Sequence, residues 1–214
     1  MKKVTCLLTI AIFYVAGLFT SAVHAAGDAE AGKQKAAPCV ACHGVSGVSA
    51  NPAWPNLAGQ GEKYLIDQLQ LFKDKIRINT LMNPQAENLS EHDMQDIAAF
   101  YASQEPNKGN ADADKEFQGE KYYLIGERIY RGGNPATGVP ACMSCHSPDG
   151  SGNAPAKFPQ LAGQHAVYTA AQLRAYRSGA RYQPDDNLNM MKEIAIYLTD
   201  TEIDAVSEYI AGLH

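Results

Sequence analysis

Two pentapeptides in this chain set thiols and an imidazole at fixed spacing: Cys39-Val40-Ala41-Cys42-His43 and Cys142-Met143-Ser144-Cys145-His146. Four chemistries use cysteines paired in this way. Structural zinc needs two pairs about 15 to 20 residues apart, whereas 99 residues separate Cys42 from Cys142. A thioredoxin-like redox pair needs a βαβ setting, which the pattern of this chain does not offer. A disulfide is the default for an exported chain, but it leaves the following histidine unexplained. Covalent haem attachment uses every position: two thiols add to the two vinyl groups, and the adjacent imidazole reaches the iron from the same side. At this chain's own residue frequencies one such pentapeptide arises by chance roughly 0.003 times. Two copies, each at the same place in a repeat, imply two c-type haems, covalently bound through Cys39, Cys42, Cys142 and Cys145, with His43 and His146 as proximal ligands.

The sixth iron position decides the function, since a closed Met site makes an electron carrier and an open one binds or activates small ligands. In the first copy the candidates are Met82, Met94 and His92. Met94 falls on a packing face and answers to Ile203 in the second copy, so it reads as core. His92 answers to Thr201 and reads as a solvated side chain. Met82 remains, in a loop between helices. In the second copy Met191, seven residues before Leu198, is in register with Met82 before Leu89, and Met190 is the alternative. Met143 is tethered to the proximal side, and His165 and His214 read as surface histidines. Pro55 and Pro159 follow the two proximal histidines by twelve and thirteen residues. Their carbonyls are predicted to accept the Nδ1–H of His43 and His146 and so fix the rings. The alternative is that these prolines only stiffen a turn. Trp54 and Phe158 then pack near the haem edge or in the core.

These groups must be positioned twice. Trp54-Pro55-Asn56-Leu57-Ala58-Gly59-Gln60 recurs as Phe158-Pro159-Gln160-Leu161-Ala162-Gly163-Gln164, and Tyr64, Gln68, Leu69 and Phe72 answer to Tyr168, Gln172, Leu173 and Tyr176. The repeat offset grows from 103 at the cysteines to 109 at the second methionine, so the second copy carries small loop insertions in an unchanged order of elements. Residues 1–25 read as a cleavable signal peptide: Lys2 and Lys3, an apolar run from Cys6 to Phe19, and small residues up to Ala25. Domains are predicted over 26–104 and 117–214. The polar stretch from Ser103 to Glu116 forms the connection, with 105–116 as linker. Each unit is all-α: Asp28 caps a helix to about Ala37, and Leu65, Leu69 and Phe72 line a helix over Glu62 to Lys73. Ser90 and Thr199 open the last helices as capping boxes. At this size a hydrophobic core alone is marginal, which leaves room for a bound group at its centre. Among 214 residues, 18 are basic and 23 acidic, and removal of the leader leaves a balance of −7. That excludes a nucleic-acid footprint and suits docking to a partner with a basic patch.

Taken together, the doubled Cys-x-x-Cys-His, the doubled Pro-x-Leu-Ala-Gly-Gln and the Met seven residues before Leu-Ser or Leu-Thr resemble the dihaem cytochrome c4 family over residues 26–214. The closing Ile210-Ala211-Gly212-Leu213-His214 sharpens the resemblance. It implies two tandem cytochrome c domains packed face to face, with both irons His/Met ligated. It also implies a periplasmic carrier of single electrons between a quinol-oxidising reductase and a terminal oxidase, free of small-molecule substrate and compatible with loose membrane association. The stretch Asp74 to Leu81 is short against the family pattern. Two other readings keep the same haem motifs: the haem subunit of a flavocytochrome or other dehydrogenase, and a dihaem peroxidase-like enzyme with one open iron.

Overall fold

The computed structural model describes residues 27–181 and 189–214, so the signal-peptide segment 1–25 lies outside the described residues. The N-terminal domain holds α1 (Ala29–Lys35), α2 (Val40–His43), α3 (Glu62–Lys73), α4 (Met82–Ala86) and α5 (Glu91–Ala102). The C-terminal domain repeats them as α6 (Tyr122–Gly132), α7 (Met143–His146), α8 (Ala166–Ser178), α9 (Met190–Ala195) and α10 (Asp200–Gly212). Before α6 stands a small hairpin, β1 (Glu116–Phe117) and β2 (Glu120–Lys121), which the sequence pattern does not reveal. Two-residue strands are too short for any alternation to show. The turn carries the signal instead: Gln118 and Gly119 both sit at positive φ, the geometry of a tight hairpin.

The first and last helices of each domain cross at a glycine. A Cβ on Gly32 would stand 1.9 Å from the Asp96 carbonyl oxygen, and one on Gly126 would stand 2.1 Å from that of Ala205. Only glycine lets the two backbones approach so closely. The last helices start at complete capping boxes. Ser90 accepts from Asp93 N–H while the Asp93 carboxylate accepts from Ser90 N–H, and Thr199 and Glu202 do the same. Behind these ends, Leu65, Ile97, Phe100 and Tyr101 form one core, and Ile129, Tyr130, Leu198, Ile203 and Val206 form the other. Met94 and Ile203 are both fully buried, the core positions their spacing predicts.

The connection between the domains lies along the C-terminal one. Asn107 donates to Gly163 O at 3.0 Å, Asp112 N–H donates to the buried Glu208 carboxylate at 3.0 Å, and Lys115 pairs with the same carboxylate. Gly109 approaches the Ala211 carbonyl so closely that a side chain there would collide with it.

Candidate haem-binding sites

Each Cys-x-x-Cys-His motif folds as one helical turn. Cys39 O accepts from His43 N–H at 2.9 Å, and Cys142 O accepts from His146 N–H at 3.0 Å. One turn places both sulfurs and the ring on one edge, which suits two vinyl groups and an iron on a single rigid plane. Just past the turn the chain reverses through a left-handed residue. Glycine supplies it at Gly44 (φ +78), but Ser147 takes it in the second copy (φ +69), a conformation that a residue with a Cβ adopts rarely. The four thiols are free and half-buried. Burial pushes the Cys39 thiol up, and that of Cys142 up to about 11, the reverse of a redox-active pair with a stabilised thiolate. Among the described residues no three His, Cys, Asp or Glu side chains gather into a metal cluster, so the zinc reading has no support in the geometry.

The imidazoles are held from behind. His43 Nδ1 lies 2.9 Å from Pro55 O, and His146 Nδ1 lies 2.9 Å from Pro159 O. Since a carbonyl only accepts, Nδ1 carries the proton and Nε2 presents its lone pair. Burial pushes both imidazolium pKa values down, with the proline carbonyl partly offsetting it, so both rings are neutral and able to ligate. A loop clasp brings the prolines in: Gly47 O accepts from Leu57 N–H at 2.7 Å and Ala58 N–H at 3.1 Å, and Gly150 O accepts from Leu161 and Ala162 at the same two distances. Trp54 and Phe158 are half-buried beside these prolines, and the Phe158 ring centroid is 6.2 Å from that of His146.

The methionines stand on separate elements. Met82 opens α4 and is not in a loop, because Asn79 Oδ1 accepts its N–H at 2.9 Å and that of Leu81 at 2.9 Å, starting a five-residue helix. Asn83 then ties this segment back, donating to Phe72 O and Arg77 O, so the short Asp74 to Leu81 connection is pinned at both ends. Met191 is half-buried on α9 while its neighbour Met190 is exposed. Ala86 and Ala195, both fully buried, follow Met82 and Met191 respectively by four residues, so the two methionines hold equivalent positions in α4 and α9. His92 is exposed, its Nε2 3.6 Å from Asp96 Oδ2. His165 is not a surface residue: it precedes α8 half-buried, and its Nε2 is 2.9 Å from Ser49 O in the other domain. His214 is exposed.

A second set of residues emerges only in the fold. Arg77 donates to Gln68 of its own domain (2.6 Å) and to Gln172 (2.8 Å) and Tyr168 (3.1 Å) of the other. Arg181 mirrors it, donating to Gln172 (3.0 Å) and to Gln68 (2.9 Å) and Tyr64 (2.8 Å). Gln60 and Gln164 add reciprocal pairs to the facing backbone, with Gln160 N–H donating to Gln60 and Asn56 N–H to Gln164. The two domains therefore face each other about an approximate twofold axis. Both guanidiniums are buried, and among the described residues neither meets a carboxylate. Arg181 Nε has no hydrogen-bond partner there either. The repeated Tyr and Gln positions of α3 and α8 are the sequence signal for this face, and the two arginines that complete it recur at the same 104-residue offset, a pairing that could have found them.

The cytochrome c family profile matches residues 29–105 and 123–214. Over 220 aligned residues the chain is 46% identical to cytochrome c4 of Azotobacter vinelandii, covering 99% of this chain and 98% of that protein. It is 37% identical to a thiosulfate dehydrogenase electron acceptor of Thiomonas intermedia, covering 83% of this chain and 79% of that one. Its fold is similar to the crystal structure of reduced recombinant cytochrome c4 from Pseudomonas stutzeri, with a TM-score of 0.82 at 44% identity over 88% of this chain and all of that one.

Proposed function

The chain belongs to the cytochrome c4 family, is a dihaem electron-transfer cytochrome with redox-protein partners, and from that premise we propose that it shuttles single electrons in the periplasm from a quinol-oxidising complex toward a terminal oxidase. The two c-type haems supply one-electron exchange at iron. In this reading Cys39 and Cys42 hold one haem and Cys142 and Cys145 the other, while His43 and Met82, and His146 and Met191, ligate the irons. Pro55 and Pro159 hold the imidazole rings. The buried donor set fits such a group: free thiols on one turn, neutral imidazoles with Nε2 available, and two guanidiniums that lack a carboxylate partner among the described residues. Buried charge calls for a counter-charge, and the propionate carboxylates of haem would provide one for Arg77 and Arg181. Residues 1–25 act as the cleaved export signal, and 26–104 and 117–214 as the two haem domains joined by 105–116.

The observation that carries this reading is the equal proximal geometry in both copies, with each Nδ1 at 2.9 Å from a proline carbonyl. Two equally built sites suit a relay and not an enzyme that keeps one iron open. Replacing Met82 or Met191 by Ala in the holoprotein is expected to lower the potential of that haem alone and to let it bind carbon monoxide. Unchanged potentials in both variants would overturn the ligand assignment.

The Thiomonas relative favours a second reading, in which the electron donor is a dehydrogenase and this chain its haem acceptor. Reduction by quinol-oxidising membranes, compared with reduction by a periplasmic dehydrogenase fraction, separates the two donors.

A further inference from the structure

In each domain one buried tyrosine fills the space between the first and last helices, but the copies take it from opposite helices. The glycine crossings set the register: with Gly32 over Asp96 and Gly126 over Ala205, Tyr130 holds the place of Ala36, and Ile210 the place of Tyr101. The backbone agrees, since Gly59 N–H donates to Tyr101 O and Gly163 N–H to Ile210 O. Both rings are fully buried, yet their hydroxyls meet different groups. Tyr130 Oη donates at 2.7 Å to the carbonyl of Ser147, the residue after the second proximal histidine. Tyr101 is 1% exposed, and its Oη has no hydrogen-bond partner among the described residues. Native proteins rarely leave such a group unpaired.

The ring of Tyr101 cannot turn away to find water. Gly47 lies flat against it, so that a Cβ there would come within 2.8 Å of the ring, and Phe100 stacks on it at 5.0 Å with a tilt. Cys39 packs against this same cluster. Burial pushes the phenol well above its ordinary range, with the neighbouring Cys39 adding to the effect, so it is a donor throughout the working pH range.

We infer that Tyr101 tunes the N-terminal haem, its Oη–H donating to the sulfur through which Cys39 holds the porphyrin. The inference rests on the attachment reading above. Sulfur in a thioether is a weak acceptor with its lone pairs still available. Donation to it draws electron density from the ring edge and disfavours the more positive, oxidised iron. Tyr101 therefore contributes a rise in potential at the N-terminal haem, and the C-terminal haem has no counterpart because Ile210 cannot donate and the Tyr130 hydroxyl is already committed to Ser147.

The test is the Tyr101→Phe holoprotein, titrated potentiometrically with each haem followed by its own shifted methyl resonances. The N-terminal haem is expected to become harder to reduce by about threefold, roughly 28 mV at 59 mV per decade for one electron, with the C-terminal haem unmoved. Tyr130→Phe is expected to lower stability without moving the N-terminal potential, which separates tuning from simple filling of space. A wild-type measurement stands beside the variants: in the reduced protein the Tyr101 hydroxyl proton should exchange slowly and show proximity to the Cys39 β-protons. An unmoved N-terminal potential with both haems attached, or a hydroxyl proton close to another group, overturns the proposal. Wild-type protein that weighs no more than its bare polypeptide would instead sink the attachment reading beneath it.

Discussion

Both domains place a buried acid on their last helix, and they use it differently. In the N-terminal domain Asp96 accepts from Asp28 N–H at 2.8 Å and from Lys35 at 2.7 Å, tying α5 to the start and end of α1. In the C-terminal domain the position of Asp96 is Ala205, and the acid sits further along as Glu208, which ties α10 to the linker through Asp112 and Lys115. There α10 is held to α8 by Arg174 and Arg177, which bridge to Asp204 and Asp200. The parts around the haem motif repeat the same hydrogen bonds by contrast: the one-turn helix, the proline carbonyl, the glycine clasp and the capped last helix. A porphyrin of fixed shape constrains what touches it, whereas an outer clamp needs only opposite charges within reach, so the clamps diverge while the attachment turn and its proline carbonyl do not.

If the sites are equivalent and separate, each should be removable by itself. Cys39→Ser with Cys42→Ser, and Cys142→Ser with Cys145→Ser, are each expected to lower the mass of the mature protein by one haem and to leave the other attached. Intact-mass spectrometry after export in a host with cytochrome c maturation reads this directly. Loss of both haems from one double variant would show that the domains fold only together and would break the comparison.

The next largest effect belongs to the face the domains share. Arg77→Leu or Arg181→Leu strands the amide and phenol acceptors of both domains in a buried interface, and a loss on the order of 3 kcal/mol is expected. Denaturant unfolding followed at the haem bands and by far-ultraviolet dichroism should change from one transition to two as the domains part. Equal effects from the two arginines would match their mirrored bonds, and a larger effect from Arg181, whose Nε has no partner among the described residues, would sharpen the asymmetry.

How far this was readable beforehand depended on distance along the chain. The span of α3 follows from Leu65, Leu69 and Phe72 at helical spacing, and both capping boxes are legible because their partners lie three residues apart. The five-residue α4 has no room for a period, so Met82 reads as loop until Asn79 Oδ1 is seen to accept from the N–H groups of Leu81 and Met82. Arg77 and Arg181 stand in register in the repeat, but their cross-domain partners, like that of His165, lie 91 to 117 residues away, so the sequence does not say what they touch. The residues that make most of the domain interface were visible as repeated Tyr and Gln, but a repeat shows that a position matters without saying what it touches. The same holds for Tyr101 and Tyr130, which align with Ile210 and Ala36 and not with each other, so no repeated aromatic marks them.

The smallest expected effect concerns the capping boxes, which look alike but differ in surroundings. Ser90→Ala and Thr199→Ala each remove one cap, at about 1 kcal/mol, equivalent to a fall of roughly 4 °C in the midpoint of that domain. Their pH dependence should differ. The Lys35 ammonium, with Ser90 next in weight, holds the Asp93 carboxyl well below the usual carboxylate range, and Lys35 holds Asp96 down as well. Glu202 is lowered despite the desolvation that opposes it, chiefly by Thr199 N–H and then by Asn134. A depressed carboxyl stabilises the fold above its unfolded pKa, and that contribution is lost as pH falls through the lower folded value. Lys35 is raised, so its share persists below the ordinary lysine value and is lost only as pH rises through the higher folded one. The Ser90→Ala penalty should therefore be full near neutral pH and persist to more acid pH than the Thr199→Ala penalty, because Asp93 is held further below its ordinary range than Glu202 is. Thermal unfolding of both variants from pH 7 down to pH 3 measures this, and parallel profiles would mean that the Lys35 cluster adds nothing to the N-terminal clamp.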